Sequence, residues 1–89
     1  MSSSLHLPLQ WSLLIYRVRD DARQQEILAA FRRMANPGMT VLGTQDETDH
    51  FVIVDCETTW LEREARFTIF RIDPGAMRVL RSRLPAAAG

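Results

Sequence analysis

Apolar residues along the chain fall into six blocks, and their spacing switches between the two-residue repeat of strands and the three-to-four-residue repeat of helices. The densest block is residues 50–57 (HFVIVDCE), in which Phe51, Ile53 and Asp55 alternate against Val52, Val54 and Cys56. Both sides are largely apolar, so the block predicts a central strand with neighbours above, below and beside it. Residues 11–19 (WSLLIYRVR) predict a second two-faced strand, with Leu13 and Ile15 on one side and Leu14, Tyr16 and Val18 on the other. The two strands are expected to lie side by side.

Helical spacing follows the first strand directly. Asp20 and Asp21 offer cap oxygens to the free amides of a first turn, and Ile27, Leu28, Phe31, Met34 and Ala35 then share one stripe. Asn36-Pro37-Gly38 predicts the stop, because proline disfavours the helical region for Asn36 and glycine accepts positive φ. Residues 39–45 predict a short strand in which Gly43 marks a bulge or an edge, and Asp46-Glu47-Thr48-Asp49 a turn that makes an antiparallel hairpin with the central strand. Thr59-Trp60-Leu61-Glu62 has capping-box spacing and predicts a helix from 59 to 72 with Leu61, Ala65, Ile69 and Ile72 inward, ended by Asp73-Pro74-Gly75. Because residues 67–72 (FTIFRI) are strand formers, a strand from about 66 to 72 is the alternative. Residues 77–83 predict an edge strand alternating Met77, Val79 and Arg81 against Arg78, Leu80 and Ser82.

Strand, helix, strand, strand, helix, strand is the order of a ferredoxin-like α+β sandwich, a four-stranded antiparallel sheet with two helices on one face. Strands 1 and 3 are expected at its centre, running parallel to each other. Residues 1–10 are read as an N-terminal arm with Leu5, Leu7 and Leu9 around Pro8, residues 11–84 as the single domain, and residues 85–89 as a tail. In element order and size the chain resembles the small ACT-like effector-binding domains. In those domains the turn between strand 1 and helix 1, usually with a glycine, holds a small ligand such as an amino acid at a subunit interface. Here that turn reads Arg19-Asp20-Asp21-Ala22, without the glycine. The resemblance implies Arg19, Asp20 and Asp21 as ligand contacts.

Charge narrows the partners further. Eleven basic residues, all arginine, balance eleven acids. A chain of zero net charge has no excess to neutralise phosphates, which argues against nucleic acid or an anionic membrane as main partner. Tyr16 and Phe51 sit on the central strands as aromatics do in RNA-binding sheets, but neither the RNP-like motif nor a basic field accompanies them. The absence of lysine fits a GC-rich, bacterial genome. No window approaches the ~18 apolar residues of a membrane span, one cysteine forms no internal disulfide, and the first residues lack signal-peptide features, so a cytoplasmic protein is expected.

No catalytic signature emerges, and no catalytic residue, cofactor or metal site is expected. His50 and Cys56 are six residues apart on one strand, about 20 Å at ~3.3 Å per residue, too far for a nucleophile and base. Neither they nor His6 have metal-ligand spacing. Cys56 among valines reads as a small buried hydrophobe, and Asp55 as a strand-end carboxylate meeting water or an arginine.

The apolar surplus carries more. Trp60, Phe67 and Phe70 are expected to cluster on helix 2 opposite its core stripe, where the N-terminal arm or a partner would cover them. Two helices cover one face of a four-stranded sheet, so the other, presenting some of Leu13, Ile15, Phe51 and Ile53 or else Leu14, Tyr16, Val52 and Val54, needs a cover of its own, from a second chain or from the Leu5 to Leu9 arm. A homodimer is therefore expected, with Tyr16, Phe51, Trp60, Phe67 and Phe70 as interface residues. The functional expectation is a non-enzymatic, self-associating ACT-like module that senses a small molecule. A small enzyme with a cleft at the subunit interface, or a protein-interaction scaffold, is the alternative.

Overall fold

The computed structural model describes residues 10–85. Six elements follow one another: β1 (Gln10–Val18), α1 (Asp21–Met34), β2 (Met39–Asp46), β3 (Asp49–Cys56), α2 (Leu61–Ile72) and β4 (Met77–Pro85). Gln10 pairs with Pro85, so the strand frame extends one residue past each expected domain boundary. The arm's leucines and His6 lie outside the described residues, as do residues 86–89.

The sheet order is β2-β3-β1-β4, and each neighbouring pair is antiparallel. This is the ferredoxin-like arrangement, but it corrects the expected direction of the central pair. Helix α1 carries the chain back so that β2 runs parallel to β1, and the tight hairpin then reverses β3 into the gap between them. β1 and β3 are consequently antiparallel, from Ser12 opposite Cys56 to Val18 opposite His50. Parallel strands within each βαβ unit are separated by a strand of the other unit.

Alternation along β1 and β3 decides which side is dry. Leu14, Tyr16, Val52, Val54 and Cys56 are at most 1% exposed and pack against Ile27 and Phe31 of α1 and Leu61, Ala65 and Ile69 of α2. Each large aliphatic side chain buried here contributes about 1.5–3 kcal/mol relative to leaving it in water. Gln24, also buried, bridges α1 to the sheet by donating from Nε2 to the Thr44 and Phe51 carbonyls, both at 2.9 Å. Gly43 makes room for that approach: a Cβ there would lie 2.9 Å from Gln24 Nε2 and 3.0 Å from a Leu28 methyl. The glycine thus marks a close helix contact on an edge strand, and β2 pairs with β3 without a break in register.

The helix ends differ from expectation in instructive ways. Asp20 is the N-cap of α1, its Oδ1 accepting from the Arg23 amide at 2.9 Å. At the other end Ala35, and not Gly38, takes the left-handed conformation, with φ 49°. Gly38 is small for another reason, since a Cβ there would come 2.7 Å from a Leu61 methyl. Residues 66–72 are helical, because Leu61, Ala65 and Ile69 form a stripe that only a helix can press onto the sheet, outweighing local strand preference.

The expected capping box at Thr59 does not form. The N-cap position of α2 falls on Trp60, whose side chain makes no cap bond, and the Glu62 amide is met by the Thr59 carbonyl at 3.1 Å. The Glu62 carboxylate has turned to the sheet instead, accepting from the buried Ser12 hydroxyl and, at 2.8 Å, from Arg81 Nε. The two threonine and aspartate positions should therefore separate in a denaturant titration. Asp20→Ala should cost about 1 kcal/mol, as loss of a working N-cap does, and Thr59→Ala less than about 0.5 kcal/mol. Equal losses at the two sites would contradict these cap assignments.

Edge strand β4 carries a register shift opposite Ile15 and Tyr16. The simple alternation expected there breaks at Val79. Met77, Leu80 and Ser82 pair with residues of the open face, while Arg78 and Arg81 pair with Tyr16 and Leu14 of the helix side.

Candidate functional site

The face of the sheet opposite the helices is bare among the described residues. Its centre is Ile53, opposite Ile15 on β1 and Leu42 on β2. Leu13, Ile15, Phe51 and Ile53 are half-buried, whereas Trp11, Leu42 and Leu80 are 38%, 50% and 40% exposed. Asp55, near the end of β3, is half-buried on the same face. Singly exposed apolar side chains need no explanation, but a contiguous sheet face of them does.

The expected interface residues divide. Phe51 lies on the bare face, and Trp60 and Phe67 stand out from α2 at 74% and 66% exposure. Tyr16 does not belong with them: it is 1% exposed beneath the helices, because even-numbered β1 residues point inward. Phe70 packs edge-on against Tyr16, with ring centroids 5.6 Å apart and planes at 87°, so it is a half-buried margin of the core and not part of the outward aromatic cluster. Burial raises the Tyr16 hydroxyl pKa above its ordinary value, with the Arg78 guanidinium opposing the shift.

The expected ligand contacts also divide. A cleft of about 540 Å³ opens where β1 leaves the sheet, lined by Arg17, Arg19 and Arg23 together with Thr48, Asp49, Asp73 and Gly75. Arg19 lines it; the Asp20 carboxylate is turned to its capping role, and Asp21 in the first helical turn lies outside the lining. The structure adds Asp73, 2% exposed, whose Oδ2 accepts from the Arg19 amide at 2.8 Å and Oδ1 from the Gly75 amide at 3.1 Å. In the sequence Asp73 reads only as part of a turn, because its partner, the Arg19 amide just past the end of β1, is 54 residues away. The guanidinium groups of Arg19 and Arg23 have no ion-pair partner among the described residues, leaving both cations available to a ligand.

Ser12, Cys56 and Glu62 meet at the opposite end of β1, where Ser12 and Cys56 are register partners. The chemistry there is quiet. Burial, reinforced by Glu62 and Asp55, pushes the Cys56 thiol up to about 11, the reverse of what a nucleophile needs. His50 lies at the far end of β3, opposite Val18. A thiol whose folded pKa is raised holds its proton longer than in the unfolded chain. Its contribution is fully present below the unfolded value of about 9 and is lost as pH climbs toward about 11. Relative to Cys56→Ala, the natural chain should lose about 2–3 kcal/mol over that interval. Thiol labelling of the native protein at pH 8 should be slow; rapid labelling, or no difference between the two chains in alkaline melts, would contradict the assignment.

Among the described residues no helix is long and apolar enough to cross a membrane. Compared with known proteins, the chain matches no family model, and neither a curated protein nor a solved structure matches it.

Proposed function

We propose that this chain is a non-enzymatic, ACT-like module of the cytoplasm that works as a homodimer and takes a small carboxylate-bearing molecule, such as an amino acid, at the exit of β1. The observation that carries the reading is the apolar sheet face around Ile53, set opposite a side whose two central strands are buried beneath the helices. A second copy supplies a matching surface by symmetry, since a two-fold contact places the same patch against itself. The cleft supports the ligand half of the reading. Arg19 and Arg23 offer paired donors to a carboxylate, and Asp49 at the hairpin offers an acceptor to an ammonium group across the same opening.

Two measurements test the reading together. Light scattering at micromolar concentration should give about twice the 10.2 kDa chain mass. A thermal-shift screen of amino acids, followed by mass spectrometry for a retained ligand, should find at least one stabilising molecule whose effect disappears in Arg19→Ser and Arg23→Ser. A single-chain mass removes the dimer, and a silent screen with an intact two-chain mass removes the ligand and leaves a scaffold.

A further inference from the structure

The outward side of α2 lies on the opposite layer from the bare sheet face and is independent of the dimer reading. Trp60 and Phe67, 74% and 66% exposed, flank a groove of about 1030 Å³ whose wall includes Met34 of α1. Arg63, Arg66 and Arg71 line the same groove against one acid, Glu64. The Arg71 guanidinium sits 5.8 Å from the centre of the Phe67 ring. No carboxylate lies within ion-pair distance of these three arginines among the described residues. In a chain of zero net charge the groove is therefore a local concentration of cations that have no ion-pair partner among the described residues, set around two exposed aromatic rings.

We propose that this groove docks an acidic segment of another protein that carries an apolar anchor side chain. Exposed tryptophan and arginine are the residue types that dominate binding energy at protein contacts, and cations around an aromatic slot select an acidic, amphipathic partner. The chain's own segments do not meet both requirements. The hairpin tip Asp46-Glu47-Thr48-Asp49 has acids but no apolar anchor; residues 1–9 have leucines but no acid. Single-stranded nucleic acid would satisfy the rings and the arginines, but it calls for a positive field extending well beyond the patch, and the balanced charge of the chain does not supply one.

Fluorescence anisotropy of the full chain with a labelled synthetic peptide of Glu, Asp, Leu and Phe tests the proposal. The control is the same peptide with Gln and Asn replacing the acids. The acidic peptide is expected to bind with a dissociation constant of about micromolar order and to weaken as salt is raised. Trp60→Ser and Arg71→Glu should each weaken it by about tenfold or more. Both side chains face solvent, and far-ultraviolet circular dichroism confirms that the variants are folded; Arg63→Gln gives a milder second probe. Equal binding of the neutral peptide, or tighter binding of a single-stranded oligonucleotide, overturns the proposal. So does peptide binding only after residues 1–9 are deleted, which would make the arm the natural occupant.

Discussion

Ile53→Asp is expected to convert a two-chain particle into a single folded chain of 10.2 kDa. Ile53 stands at the centre of the bare face, between Ile15 and Leu42 in the cross-strand register. In an isolated chain the new carboxylate would reach water at a modest cost, because Ile53 is only half-buried and its side chain points away from the helices. In a face-to-face dimer it would be buried against apolar side chains with no partner charge, which costs several kcal/mol. At about 1.4 kcal/mol per tenfold change, dimer affinity should fall by about a hundredfold or more. The neighbouring substitution Val52→Asp is the contrast. Val52 is 0% exposed under the helices, so a charge there should unfold the chain and leave its oligomeric state undefined. Tyr16→Asp would likewise report on folding, since Tyr16 belongs to the same dry side. Light scattering with circular dichroism on the Ile53 and Val52 variants separates assembly from stability. A two-chain mass that survives Ile53→Asp would place the contact elsewhere.

The two-residue repeats of β1 and β3 sort their side chains into two faces from the sequence alone, though they do not say which face the helices cover. A side chain's face depends only on its own position in the strand, so Val52 and Ile53 could be assigned to opposite sides from spacing alone. The direction of β1 relative to β3 was not local in this way. It depends on a hairpin and a helical crossover acting together, and the same alternation suits parallel or antiparallel neighbours. Glu62 shows a second limit. Its spacing from Thr59 is that of a capping box, yet the buried Ser12 hydroxyl and Arg81, on two different strands, compete for the same carboxylate and win it. The helix-forming outcome for 66–72 has a similar origin, since the inward stripe through Ile69 outweighs the strand preference of FTIFRI. The candidate cleft was only partly legible. Arg19 is implied by the resemblance through its place after strand 1, and Arg17 and Arg23 stand within four residues of it, but Asp49 and Asp73 reach the cleft from separate parts of the chain.

Asp73→Ala should be the most destabilising change in the cleft, at about 3 kcal/mol in a urea titration. Its carboxylate holds two backbone amides, one on each side of the opening: Arg19 where β1 ends and Gly75 in the turn that leads into β4. Hydrogen bonds to an ionised acceptor contribute about 1.5–3 kcal/mol each, so a simple sum would approach 6 kcal/mol. The sum overstates the loss, because Gly75 is exposed and its freed amide can turn to water. Arg19 is exposed as well, so its amide is also partly met by water, but it loses the shorter bond, 2.8 Å against 3.1 Å, and that loss dominates. Asp73→Asn should fall between the natural chain and the alanine variant: the amide oxygen can accept from one of the two N–H groups, while its own NH₂ group meets the other as a second donor. For a domain with a total stability of about 5–15 kcal/mol, a loss of this size leaves the fold measurable but loosens the point at which β1 presents Arg19. A loss below about 1 kcal/mol for Asp73→Ala, or an asparagine variant as stable as the natural chain, would show that the two amides find equivalent partners without the carboxylate.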